Sequence, residues 1–195
     1  MNLLSYWKLR HLKSGITICV TPSYRCNQNC SYCIVKNGGP KFPKDKCIKS
    51  AIEWLDYVDN FPEKVGEVII SGGEPTLYYD LIELVNGLLK RGLFVNVYSN
   101  LTNPTPFESI IKTRRFLITA TYHKGQIEEY TFEQNALQIK HELKINEFIS
   151  RKLKKSHLIR FWTNDEVKNI ISCLRIGTDG TIFTNCFDQN QYYLT

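Results

Sequence analysis

Residues 26–33 read CNQNCSYC and place three cysteines, Cys26, Cys30 and Cys33, close together in the chain. Thiolates are soft ligands that select zinc, copper(I) or iron–sulfur clusters. A closed structural zinc site uses four ligands, usually as two pairs from different parts of the chain. No fourth cysteine lies nearby, and the next is Cys47. An iron–sulfur cluster held by three thiolates would keep one iron open, so the trio predicts a metal centre with a vacant position.

Two other interpretations of the trio stay open at this point. Its spacing also fits one face of a helix, where cysteines are often simply buried, and a zinc site could recruit a distant ligand. Polar side chains separate the cysteines and favour a loop, namely Asn27, Gln28, Asn29 and Ser31.

The composition is that of an ordinary globular protein. The chain has 195 residues, of which 43% are hydrophobic and 23% charged, and these values predict a single domain over residues 1–195. Lys8, Arg10 and Lys13 interrupt the first residues, so we expect no signal peptide, no membrane segment and a cytoplasmic location. Seven cysteines in that reducing compartment favour metal or redox chemistry over disulfides.

Short apolar runs alternate with helical patterns through the first two thirds of the chain. Strands are predicted at residues 16–20, 67–71, 94–98 and 116–121. Between them, apolar residues recur at helical spacing from Ile48 to Val58, including Ile52, and from Leu81 to Leu89. This order predicts right-handed βαβ units with a parallel sheet, clear over residues 16–123.

The pattern is less regular over residues 124–195. Thr131 and Gln134 fit a capping box that opens a helix carrying Phe132 and Leu137, after a short helix at 107–112. Residues 144–150 fit either a strand or the end of that helix, 158–163 a strand and 165–171 a helix. Asp179-Gly180 predicts a hairpin between 174–177 and 181–185.

In a parallel sheet, the loops that follow the carboxyl ends of the strands carry ligands. Here four polar stretches follow the four predicted strands: the cysteine trio, the SGGEP sequence at 71–75, Ser99-Asn100, and Tyr122-His123. The sequence therefore predicts that all four lie at one edge of the sheet. Gly72, Gly73 and Glu74 alone would also fit a tight strand-to-helix turn.

The cysteine trio followed by a Gly-Gly-Glu loop on the next strand resembles the radical S-adenosylmethionine (radical SAM) superfamily. The resemblance covers residues 16–123 and implies a 4Fe–4S cluster on Cys26, Cys30 and Cys33, with SAM chelating the fourth iron. It places Tyr32 near the adenine and the Gly-Gly-Glu loop at the methionine amino group. Further SAM-contacting positions are expected at the ends of the third and fourth strands: Ser99, Asn100, Thr121 and His123.

The resemblance also implies an α/β fold, a partial (βα)6 TIM-like barrel that is reduced or irregular after the fourth βα unit. The hairpin near residues 173–186 has Cys173 and Cys186 near its ends and partly resembles a SPASM-type extension for auxiliary clusters. Two unrelated buried thiols are the favoured interpretation of this pair. Cys19 and Cys47 are expected in the core or at a helix edge, and the basic run at 151–155 as a solvated face.

The implied activity is reductive cleavage of SAM at the cluster to a 5′-deoxyadenosyl radical that abstracts hydrogen from a substrate. A peptide or protein substrate is favoured, with a flavodoxin-type reductase as electron donor and no membrane or nucleic-acid partner. One alternative is a small-molecule enzyme like 7-carboxy-7-deazaguanine synthase, and another is a glycyl-radical activase. From a different class, the chain could be a non-catalytic iron–sulfur or zinc-binding module.

Overall fold

The order of helices and strands follows the alternation predicted from the sequence. A computed structural model describes residues 15–31, 33, 48–113 and 115–142, together with the backbone of four short strands between 156 and 192. The strands are β1 (Ile16–Val20), β2 (Val65–Ile70), β3 (Phe94–Ser99), β4 (Phe116–His123), β5 (Ser156–Leu158), β6 (Cys173–Ile176), β7 (Ile182–Phe183) and β8 (Gln191–Tyr192). The helices are α1 (Ala51–Asp59), α2 (Leu81–Lys90) and α3 (Glu129–Glu142), and 3-10 helices span Pro75–Leu77 and Thr105–Ser109.

The strands form one open sheet in the order β5-β4-β3-β2-β1-β6-β7-β8. Strands β1 to β4 are consecutive neighbours and all parallel, and β6 pairs in parallel with the other side of β1. The predicted partial barrel is confirmed. The parallel order does not continue beyond β4, because β5 pairs with β4 in the antiparallel direction. In the part of the chain that the structure describes, β5 and β8 are the two edges and the sheet does not close.

Helices α1 and α2 cover one face of the sheet. A capping box opens α1: the Ser50 hydroxyl accepts from the Glu53 backbone N–H at 3.3 Å, and Glu53 accepts from the Ser50 N–H at 2.7 Å. Buried side chains of both helices pack on Ile18, Val68 and Val95, which are themselves fully buried. A side chain at Gly87 would collide with Leu55, so this glycine lets α1 and α2 approach closely.

The opposite face of the sheet carries polar groups between the strands. The Thr17 hydroxyl donates to Glu67 Oε2 at 2.9 Å, and Glu67 is fully buried. The Thr119 hydroxyl donates to Asn96 Oδ1 at 2.9 Å. A small apolar cluster of Cys19, Ile69 and Tyr98 lies on this face, so the prediction that Cys19 is a core residue is confirmed.

Several local predictions are wrong in detail. Helix α3 begins at Glu129, so Thr131 lies inside its first turn and does not cap it. Ile52 and Leu137 fit the apolar spacing of their helices but are 61% and 52% exposed. The short helix expected at 107–112 is a 3-10 helix that begins at Thr105, since Pro104 and Pro106 fix the backbone there.

The carboxyl-terminal predictions are confirmed in part. Strands β6 and β7 pair antiparallel around residues 177–181, which confirms the hairpin. Of the strand predicted at 158–163, only Leu158 is described, as the last residue of β5 (Ser156–Leu158). The predictions for 144–150, 159–163 and 165–171, and those for Cys47, Cys186 and the basic run 151–155, fall outside the described residues. No helix among the described residues is long and apolar enough to cross a membrane.

Candidate cluster and SAM site

The three cysteines lie in the loop that follows β1, which we call the cysteine loop (residues 21–33). Its described residues, 21–31 and 33, form no helix or strand, which confirms the predicted loop. Cys30 is buried and Cys26 and Cys33 are half-buried, and all three are thiols outside any disulfide. The Cys33 N–H donates to the Cys30 carbonyl at 3.1 Å, so the second and third cysteines share a tight turn.

Polar groups surround the first two sulfur atoms. The backbone N–H of Gln28 donates to Cys26 Sγ at 3.5 Å, and the Cys30 thiol donates to the Gln28 side-chain oxygen at 3.8 Å. Among the described residues, no three His, Cys, Asp or Glu side chains are arranged as a site for a metal ion. The three cysteines thus share one loop, but their sulfur atoms are not arranged around a common metal position.

The loop after β2, which we call the glycine loop (residues 71–75), runs directly beside the cysteine loop. Three backbone N–H groups of the glycine loop donate to carbonyls of β1 and the cysteine loop: Ser71 to Val20 at 3.0 Å, Gly73 to Ser23 at 3.1 Å, and Glu74 to Arg25 at 2.7 Å. The pairing of β1 with β2 therefore continues past the strand ends into the two loops that carry the predicted motifs.

Both glycines are required by this close approach. A Cβ at Gly72 would collide with the Ser23 carbonyl oxygen, and one at Gly73 with the Arg25 carbonyl oxygen. Gly72 also has a φ of +129°, which side-chain-bearing residues rarely adopt. The Gly-Gly pair thus brings the backbone of the glycine loop into contact with the cysteine loop.

Glu74 holds the glycine loop to the end of β3. Its carboxyl group is 1% exposed and accepts four hydrogen bonds. Two come from Thr76, from the backbone N–H at 3.1 Å and the hydroxyl at 2.8 Å. The others come from the Ser99 hydroxyl at 2.8 Å and the Asn100 backbone N–H at 2.7 Å. The carboxyl group is therefore engaged inside the protein.

The side chain of Asn100 continues this network to the cysteine loop. Its Nδ2 donates to Asn27 Oδ1 at 2.9 Å and to Cys26 Sγ at 4.0 Å. Asn27 in turn donates to the Thr102 hydroxyl at 2.6 Å. Ser99 and Asn100 thus lie where the sequence predicted them, at the edge of the sheet beside the first cysteine.

The end of β4 completes this edge with half-buried side chains. Thr121 and His123 lie in its last residues, and burial lowers the pKa of His123 below its usual value. Beyond the strand, the Gln126 side-chain oxygen accepts from the Asn29 N–H at 2.7 Å, so the loop after β4 also contacts the cysteine loop. Tyr32 is outside the described residues.

Sequence reasoning missed four residues of this network: Thr76, Asn27, Thr102 and Gln126. Asn27 and Thr102 follow predicted site residues closely in the chain, and short polar side chains after strand ends often bond to nearby backbone. Their place just after predicted site residues was the sequence feature that could have indicated Asn27 and Thr102. Gln126 carried none, because its contact with Asn29 joins residues far apart in the sequence.

The side chains at this edge have the donor chemistry that an iron–sulfur cluster requires. Three thiols outside disulfides supply soft ligands, and the neighbouring N–H donors are of the kind that surround cluster sulfur atoms. The fold and the site together define an α/β protein with an open parallel sheet and a thiol-rich site at the carboxyl edge of its strands.

The chain belongs to the radical SAM superfamily, since the model of that family matches residues 20–119. This match runs from the end of β1 into β4 and includes both loops. The radical SAM superfamily uses a 4Fe–4S cluster and SAM, which are the cofactors predicted from the sequence.

Individual relatives match shorter segments. The GTP 3′,8-cyclase of Lactiplantibacillus plantarum is 44% identical over 62 residues, 31% of this chain and 18% of its own. A Methanocaldococcus jannaschii protein named for glycyl-radical enzyme activation is 28% identical over 108 residues, 55% of this chain and 43% of its own. The chain thus matches less than half the length of either relative.

A solved structure supports the fold over most of the chain. Streptococcus suis SuiB bound to S-adenosylmethionine superimposes with a TM-score of 0.54 at 16% sequence identity. The superposition covers 91% of this chain and 62% of SuiB. At this identity the likeness shows the shared partial-barrel fold.

Proposed function

We propose that Cys26, Cys30 and Cys33 hold a 4Fe–4S cluster and that the protein cleaves SAM reductively to abstract hydrogen from a substrate. When bound, a cluster held by these three cysteines would supply the electron that splits the S–C5′ bond of SAM, giving methionine and a 5′-deoxyadenosyl radical. The observation that carries this proposal is the backbone pairing of the glycine loop with the cysteine loop, through Gly73 and Glu74. It supports the proposal because the two motifs of the family meet at one edge of the sheet.

The protein's own contribution is to hold and orient the two cofactors. Gly72 and Gly73 bring main-chain groups close to the cysteine loop, and we assign them the methionine amino group. Thr121 is assigned to the SAM carboxylate, His123 to the ribose and Tyr32 to the adenine. For Glu74, four internal hydrogen bonds support a role in holding the loop rather than in binding the ammonium through its side chain.

The test is anaerobic reconstitution with iron and sulfide, followed by reduction with dithionite in the presence of SAM. We expect about four irons per chain, and formation of 5′-deoxyadenosine measured by chromatography. Alanine variants of Cys26, Cys30 and Cys33 should each lose cluster and product.

Cys19→Ala is the matched control, since Cys19 is a buried thiol in β1 and packs with Ile69. It should keep both the cluster and the product. A full cluster on the wild-type protein without 5′-deoxyadenosine would contradict the enzyme proposal. One air-stable zinc per chain would support a binding module instead.

For the substrate, we propose a peptide or protein. The support is the open sheet: β4 is flanked by a three-residue antiparallel strand, and the hairpin β6–β7 extends the other side. Among the described residues, the edge strands β5 and β8 do not pair with each other, and an open sheet suits an extended substrate. Mass spectrometry of peptides encoded beside this protein, after incubation with the reduced enzyme and SAM, should show a mass change.

A nucleotide substrate is the second candidate, because a segment of 62 residues is 44% identical to a GTP 3′,8-cyclase. The same assay with GTP separates the two proposals. Consumption of GTP with no change in any candidate peptide would contradict the peptide proposal and support the nucleotide.

A further inference from the structure

Asn100 occupies a special position, because it bonds to both loops of the site. It is 5% exposed and follows the last residue of β3. Its backbone N–H donates to Glu74, and its side-chain Nδ2 donates to Asn27 and Cys26. One residue therefore connects the carboxyl group of the glycine loop with the first sulfur of the cysteine loop.

The orientation of the Asn100 amide is fixed from its other end. Its Oδ1 accepts from the Thr102 backbone N–H at 3.0 Å and from the Thr102 hydroxyl at 2.7 Å. These two bonds identify Oδ1 as the acceptor, and hence Nδ2 as the group directed at the cysteine loop.

The backbone after Asn100 is held in an uncommon conformation. Leu101 has a φ of 54°, in the left-handed region that side-chain-bearing residues seldom adopt. Its N–H donates to the Ser99 hydroxyl at 3.0 Å, and its carbonyl accepts from Asn135 of α3 at 2.7 Å. Surrounding contacts therefore maintain a strained turn, a feature that clusters at functional sites.

We propose that Asn100 is a positioning residue for Cys26, and that its side-chain N–H raises the reduction potential of the cluster that Cys26 helps to hold. The inference rests on the proposed function. A hydrogen-bond donor near a cluster sulfur stabilises the added negative charge of the reduced state and so makes reduction easier. The backbone N–H of Gln28 and the side-chain N–H of Asn100 are both directed at this sulfur, and of these two donors Asn100 is the one that a substitution can remove.

The test is the midpoint potential of the reconstituted cluster, followed by electron paramagnetic resonance during a redox titration without SAM. Asn100→Asp keeps the oxygen that accepts from Thr102 but replaces the N–H donor with a second oxygen. We expect a shift to a more negative potential. Asn86→Asp is the matched control: Asn86 lies in α2 and bonds to the loop at Ser109 and Ile111, so the same change there should leave the potential unchanged.

Asn100→Ser is the second variant, because it removes the contact with Cys26 without adding a charge. It should shift the potential in the same direction by a smaller amount. Melting of the apo-proteins identifies any variant that fails to fold, and the conclusion then rests on the other variant. A wild-type potential in a folded Asn100 variant would overturn the inference.

Failure of this inference can be distinguished from failure of the proposed function. If the wild-type protein cleaves SAM and the Asn100 variants have the same midpoint potential as the wild type, the proposed function stands. The proposed role of Asn100 is then wrong. A wild-type protein that loads the cluster without cleaving SAM removes the proposed enzyme function, while the titration still decides the role of Asn100. A wild-type protein that takes up no cluster overturns both.

Discussion

On the β1–β3 side of the carboxyl edge, the carboxyl, hydroxyl and amide side chains of the site are buried and bonded to one another, whereas on the β4 side the polar side chains are half-buried. Glu74, Ser99 and Asn100 are 1%, 4% and 5% exposed, and bonds through Glu74 join all three. Thr121 and His123 at the end of β4 are each partly exposed. The two sides of one edge thus differ in how deeply their polar side chains are buried.

The difference matches what each side would have to do in a radical SAM enzyme. A cluster stays bound through every turnover, so fixed groups can hold it without reorganisation. The β4 side adjoins the edge where the antiparallel β5 replaces a further parallel strand. Half-buried side chains there suit contacts that form each time SAM binds, as proposed above for Thr121 and His123. The predictions below test whether the two sides really differ in this way.

The largest expected effect is on the β1–β3 side, at Glu74. Glu74→Ala removes the acceptor of four hydrogen bonds and leaves buried donors unsatisfied, each at a cost of about 1–3 kcal/mol. We expect the free energy of unfolding of the apo-protein to fall by about 3 kcal/mol or more, as measured by urea denaturation. Glu74→Gln should cost less, since the amide keeps one acceptor oxygen.

The matched control for Glu74 is Glu133→Ala, at an exposed position of α3. This change should stay within about 0.5 kcal/mol of the wild type. Equal unfolding free energies for the two alanine variants would show that the Glu74 network does not stabilise the β1–β3 side.

The second prediction concerns the contact between the glycine loop and the cysteine loop. A methyl group at Gly73 would collide with the Arg25 carbonyl, so Gly73→Ala must push the two loops apart. We expect a loss of about 1–3 kcal/mol in stability, together with loss of cluster uptake measured as iron per chain.

Gly125→Ala is the comparison variant, because Gly125 follows β4 with a φ of +80° and a Cβ added there would meet no atom within 4 Å. It should cost about 1 kcal/mol through backbone strain, yet leave cluster uptake intact. If both variants took up the full cluster, the close approach at Gly73 would be irrelevant to the site.

Much of this site could be predicted from the sequence because its signals are local. Runs of β-branched and apolar residues marked β1 to β4, and β1 was placed with the bounds that the structure has, Ile16–Val20. The positions of the two loops then followed from the parallel arrangement alone, since consecutive parallel strands end at one edge.

The contacts inside the site could not be predicted, because they join residues far apart in the chain. The partners Ser99 and Asn100 lie 25 and 26 residues from Glu74. From the sequence alone, Glu74 was therefore interpreted as a carboxylate that could bind an ammonium group. The antiparallel direction of β5 was equally hidden, since a three-residue strand shows too little periodicity to indicate its pairing.

The smallest expected effect is on the β4 side, at His123. Burial lowers its pKa in the folded state, because desolvation disfavours the charged imidazolium. The unfolded chain, with its ordinary pKa near 6.5, then binds a proton more readily than the folded chain does. Stability should therefore be lost as the pH falls from about 6.5 towards the folded pKa, and the group should contribute no pH dependence well above 6.5.

His123→Gln removes the titrating group and should flatten this part of the pH profile. The measurement is the urea midpoint of the apo-protein at about pH 7.5, 6.5 and 5.5, with each midpoint compared between wild type and variant. On acidification, the stability of the wild type should fall further than that of the variant. This difference should be smaller than the effects at Glu74 and Gly73, because a half-buried imidazole keeps part of its contact with water. Parallel profiles for the two proteins would mean that His123 titrates as it does in water, and the β4 side would then be more open than its burial indicates. That outcome would sharpen the contrast with Glu74, whereas a drop as steep as the Glu74 effect would remove it.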